Sequence, residues 1–89
     1  MFINVHPEAT GAVLQKDCAL WFLVFTGPHG AKWDMQLVTP NELGDALHHG
    51  YSDDDVVSYI GGQLSAAGYL VHQRPRGTDK AAWSLTFLG

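Results

Sequence analysis

Residues 81–88 alternate without a break, with Ala81, Trp83, Leu85 and Phe87 on one side and Ala82, Ser84, Thr86 and Leu88 on the other. A period of two predicts a strand with one face on a core. Trp33, Met35 and Leu37 alternate with Asp34 and Gln36, which predicts a second half-buried strand. The eight residues 18–25 are all apolar, so periodicity alone cannot separate a buried strand from a buried helix. Their aromatic content, short length and the Gly27-Pro28 stop favour a strand. With Gly27-Pro28-His29-Gly30 between them, these two runs predict an antiparallel hairpin with a longer loop. Residues 2–5 read as a short strand ended by His6-Pro7. Residues 8–17 stay ambiguous, because Thr10 and Gly11 weaken a helix around apolar Ala12-Val13-Leu14.

The middle of the chain changes period. Thr39-Pro40-Asn41-Glu42 matches a capping box, with proline at the first helical position, where its missing N–H costs nothing. Leu43, Ala46 and Leu47 share one face of that helix, and His48-His49-Gly50 ends it. Ser52 caps a second helix whose first turn holds Asp53, Asp54 and Asp55, carboxylates suited to the positive end of the helix dipole. Val56, Val57, Ile60, Leu64 and Ala67 trace its buried stripe, and Gly68 closes it. Gly61-Gly62 in mid-helix costs about 1 kcal/mol per glycine relative to alanine. Two accounts fit: close packing on a neighbouring element, or a flat patch that a partner's backbone approaches.

Residues 69–73 pair antiparallel with 81–88 across the polar connection Arg74-Pro75-Arg76-Gly77-Thr78-Asp79-Lys80. Two capped helices followed by such a hairpin resemble the winged helix-turn-helix superfamily. The matching residues are Thr39-Pro40-Asn41-Glu42-Leu43 with Leu47, then 52–64, Ala67-Gly68-Tyr69-Leu70-Val71, and Trp83-Ser84-Leu85-Thr86 with Gly89. The resemblance covers residues 39–89 and implies a helix-turn-helix with a C-terminal hairpin wing; joined to the antiparallel hairpin read ahead of it, the expectation is a single winged-helix-like α+β domain over residues 1–89. Two departures stand out. The stretch ahead of the first capped helix reads as strand where the superfamily has a helix. The outward face of the second helix would hold Asp54, Asp55, Ser58, Tyr59, Gly62, Ser65 and Ala66, with no Arg, Lys or Asn to read a base edge.

Composition adds the limits. Apolar content of 46% with 16% charged residues is that of a globular chain. No apolar run approaches the roughly 18 residues of a membrane span. A lone Cys18 permits no internal disulfide, and Met1-Phe2-Ile3-Asn4 does not open a secretory signal, so the expected place is the cytoplasm. Within its apolar run, Cys18 is expected to be a buried, inert thiol. The net charge of −4 is unevenly spread: residues 33–71 carry six acids and no Lys or Arg, and residues 72–80 carry Arg74, Arg76 and Lys80 against Asp79.

Catalysis and metal binding find no support in these spacings. His6, His29, His48, His49, His72 and Cys18 include no pair at the helical spacing that gathers ligands. The aspartate run lacks the glycine and glutamate of a calcium loop, and no glycine-rich loop follows a strand. The expectation is a non-enzymatic binding module without cofactor or metal. Its acidic second helix favours docking on a protein, one with a basic nucleic-acid-binding surface, through Asp45, Asp53, Asp54, Asp55 and Tyr59. Small phage-encoded inhibitors, anti-CRISPR proteins among them, act in this way. The alternative is a transcriptional regulator that contacts DNA as a dimer through Arg74, Arg76 and Lys80. Of Trp21, Trp33 and Tyr59, the last is the expected exposed anchor, since most aromatic residues of a small domain belong to its core.

Overall fold

A computed structural model describes residues 4–18, 20–38, 52–77 and 79–89. Its strands are β1 (Gly11–Asp17), β2 (Leu20–Thr26), β3 (Lys32–Val38), β4 (Tyr69–Gln73) and β5 (Lys80–Phe87), and its helix is α1 (Asp53–Ala66). All five strands form one antiparallel sheet in the order β3-β2-β1-β5-β4. Among the described residues, no helix is long and apolar enough to cross a membrane.

This arrangement corrects the winged-helix expectation. The β4–β5 hairpin does not project as a wing, because β5 pairs with β1 over five residues from Gly11↔Ser84 to Gln15↔Lys80. Both hairpins therefore belong to one sheet, and α1 packs on the face of that sheet. The chain is mostly β. The helix expected from Thr39 to Gly50 lies outside the described residues. Of the strand expected at residues 2–5, the described Asn4 and Val5 are irregular.

The sheet's core face follows the two-residue period. Ala12 and Leu14 of β1, Trp21, Leu23 and Phe25 of β2, Val38 of β3, Tyr69 of β4, and Ala81, Trp83 and Leu85 of β5 are buried there. Cross-strand rows alternate in size: Ala12 lies between Phe25 and Trp83, and Ala81 pairs with Leu14. The small members leave room for α1, which lays Val56, Val57, Ile60 and Leu64 onto the sheet. Each fully buried aliphatic side chain contributes about 1.5–3 kcal/mol of transfer free energy. Two residues leave their expected faces. Ala67 is the exposed C-cap of α1, and Phe87, at the end of β5, is 65% exposed and tilts against the Tyr69 ring at 5.2 Å between centroids.

The local signals around α1 hold. Ser52 Oγ accepts from the Asp55 N–H, and Asp55 accepts from the Ser52 N–H at 2.8 Å, a complete capping box. Gly68 takes φ +97, the left-handed exit that turns the chain into β4. In the β1–β2 hairpin, Asp17 pairs with Leu20, so Cys18 sits in a two-residue turn with φ 49. Its thiol is exposed, which corrects the expected burial: the apolar run is cut by the turn, and β2 begins only at Leu20.

Candidate protein-binding face

The two charged sites expected from sequence meet in one ion pair, Arg76 with Asp54. Lys16, on the core side of β1, reaches Asp53 at 3.2 Å and lies 5.7 Å from the centre of the Trp21 ring. Arg76 of the β4–β5 connection forms an ion pair with Asp54. Asp55 is engaged in the capping box. All three carboxylates of the first helical turn thus have partners within the chain, and Tyr59 is half-buried rather than an exposed anchor. Asp45 lies outside the described residues.

The basic connection is fastened on two sides. Arg74 donates through its backbone N–H to the Ala82 carbonyl at 2.8 Å and through its guanidinium to the Ser84 hydroxyl at 3.4 Å. The Asp79 carbonyl accepts from the Lys16 N–H at 2.8 Å, and Gly77 bridges to Lys80. Lys80 is exposed. Arg74, Arg76 and Lys80 thus share one short connection, but one of their charges is already matched by the helix. Among the described residues, no group of three or more His, Cys, Asp or Glu is placed to hold a metal ion.

The feature that sequence reasoning missed is the sheet's second face. Alternation sends Val13, Gln15 and Asp17 of β1 away from α1, together with Phe22 and Val24 of β2 and Met35 and Leu37 of β3. Register sets them in rows: Leu37, Phe22, Gln15 and Lys80 across one, and Val24, Val13 and Ala82 across the next. Met35, 72% exposed, lines the same shallow depression of about 320 Å³ as Val13, Phe22 and Val24. Leu37 at 46% and Leu20 at 40% extend the apolar surface toward one end of the strands. On the β5–β4 side the face mixes Ala82, Ser84, Thr86 and His72 with the exposed Leu70 opposite Thr86.

A signal for this face was present in the sequence. Leu20, Phe22 and Val24 are apolar at the same positions in β2 that would be polar in a strand with one wet face. A continuous apolar run normally marks a strand covered on both sides. Here the described residues cover only one of them. Chemically, such a face offers non-directional apolar burial with a few charged groups at its margin, which suits a macromolecular contact better than a reaction. Compared with protein-family models, characterised proteins and solved structures, the chain matches none.

Proposed function

We propose that the domain works by binding protein, without catalysis, and that the open face of β3-β2-β1 is its contact surface. The observation that carries this is the continuity of apolar side chains on that face, from the exposed Leu37 and Met35 through the half-buried Phe22 and Val24 to the half-buried Val13. Scattered exposed apolar residues are normal, but a contiguous patch marks an interaction site. The start of α1 presents less free charge than its three aspartates suggest, since Lys16 and Arg76 lie against two of them. A duplex is disfavoured for a related reason: Arg76 would have to leave Asp54 to reach a phosphate, and three bases bring little affinity.

Site-specific photo-crosslinking in cells producing the chain tests this. A benzophenone side chain at Met35 should form protein adducts, and the same group at Ser65 on the outer face of α1 should not. Adducts at Ser65 alone, or none at either position, would reject the open face as the contact.

A further inference from the structure

We infer that the partner seated on the open face is an acidic segment of another protein, with apolar side chains interspersed among its carboxylates. This rests on the open face being a protein contact. The choice of occupant comes from where the chain keeps its free bases. It has five, Lys16, Lys32, Arg74, Arg76 and Lys80, against nine acids. Lys16 and Arg76 are held by Asp53 and Asp54. Register puts the other three on the open face: Lys32 in the row of Thr26, Lys80 in the row of Gln15, and Arg74 beside Ala82 with its guanidinium on Ser84. All three are exposed, and among the described residues none has an ion-pair partner. Asp17 is the one acid among the described side chains of that face.

The three bases bracket the apolar patch. Lys32 borders a depression with Val24 and Met35 on the β3 side. Arg74 borders another on the β5–β4 side, floored by the small residues Gly11, Ala82 and Ser84. Lys80 ends the row that holds Leu37, Phe22 and Gln15. A segment crossing the strands would bury apolar side chains against Phe22, Val24 and Met35 and set carboxylates at either side of them. In a chain of net charge −4, a face with three bases and one acid selects its partner by sign. The acidic start of α1 called for a basic partner, but its carboxylates are engaged within the chain. Single-stranded nucleic acid also brings negative charge, but it gains affinity by stacking its bases on aromatic rings. Among the described residues of this face, Phe22 is the one Phe, Trp or Tyr, it is half-buried, and the rest of the patch is Val, Leu and Met.

Size points the same way. The three strands of the patch span roughly 14 by 24 Å, or about 340 Å². That is well below the roughly 800 Å² per partner of a standard interface between folded proteins. It suits a single segment laid across the strands, held reversibly and more weakly as salt rises.

Charge reversal in the full chain carrying the benzophenone at Met35 decides the matter. Lys32→Glu together with Lys80→Glu should cut the yield of protein adducts by about tenfold or more, whereas Asp17→Lys should keep or raise it. Mass spectrometry of the digested adducts should place the crosslink on partner peptides with more Asp and Glu than Lys and Arg. All three positions are exposed, so circular dichroism should show an unchanged fold in each variant. Adducts that survive the double reversal, or that sit on basic peptides, overturn the inference and leave the open face as a contact. Adducts formed solely between copies of this chain overturn it as well. Adducts destroyed by nuclease identify a nucleic acid, and an absence of adducts at Met35 removes the contact altogether; either result rejects the protein-contact reading and the inference with it.

Discussion

The indole nitrogen of Trp83 lies 3.3 Å from the point where a Cβ on Gly61 would stand. That approach accounts for one of the two mid-helix glycines, because a side chain there would crowd the buried indole by a few tenths of an ångström. Gly62, one residue on, has nothing within 4 Å of its would-be Cβ. The pair should therefore respond in opposite directions. Gly62→Ala should raise stability by about 0.5–1 kcal/mol through helix propensity alone. Gly61→Ala gains the same propensity but must move Trp83, which is buried on all sides, and should come out less stable than the parent. Urea denaturation of the two variants checks this, and equal stabilisation by both would show that the indole yields freely.

Ser52 and Asp55 hold the start of α1 by exchanging two hydrogen bonds. Ser52→Ala removes the hydroxyl acceptor and should cost about 1 kcal/mol. Asp53→Asn should cost less, about 0.5 kcal/mol, since the Lys16 pair is partly exposed and shielded by water and salt. Thermal unfolding at low and high salt separates them: the Asp53 effect should fade with added salt, and the loss from Ser52→Ala should persist.

The Asp54–Arg76 pair makes a prediction about nucleic acid. Asp54→Asn removes the carboxylate that competes for the guanidinium, so this variant should bind mixed duplex DNA more tightly than the parent at low salt. The parent should bind weakly, if measurably at all. Tight, salt-sensitive binding by the parent, abolished in Arg74→Ala with Arg76→Ala, would contradict the protein-contact proposal.

His6 stacks on Trp33 with ring centres 4.1 Å apart and planes within 3° of parallel, fastening the segment ahead of β1 to the start of β3. A Cβ on Gly27 would collide with the Trp33 ring. Gly27→Ala should therefore displace the indole, cost about 1–3 kcal/mol as overpacking does, and change tryptophan emission. His6→Ala should cost less, about 0.5–1.5 kcal/mol for the lost ring pair. An unaltered emission spectrum in Gly27→Ala would mean that the ring is not held there.

Strands β2, β3, β4 and β5, α1 and its capping box, and the Gly68 exit were legible because each is written in local spacing. β1 was not. Its inward residues Ala12 and Leu14 and its outward Val13 are all apolar, which hides the period of two. The pairing of β1 with β5 leaves no local trace, since its partners lie about seventy residues apart in sequence. The same helix–strand–hairpin order serves a winged helix and this sheet equally well, and only that distant pairing tells them apart. The candidate face was missed for a kindred reason. An apolar run looks doubly covered in sequence, and the topology shows which side the helix takes. The charged candidates stand out in the sequence by residue type alone, but Lys16–Asp53 and Arg76–Asp54 join positions that spacing cannot bring together.

The place of β5 in the sheet has a consequence for how the domain is made. It is the last of the five strands in sequence, yet it lies inside the sheet, between β1 and β4. As the chain leaves the ribosome, the β1–β2–β3 meander can form early, but the inner edge of β1 then stands with its backbone groups unpaired. Closing that edge must wait for β5, at the cost of a long loop closure, so folding should be slow for a chain this short. During that interval the apolar faces of three strands are open to other chains as well as to solvent, and aggregation competes with completion. Expression conditions that slow synthesis should lengthen this exposure and lower the soluble yield.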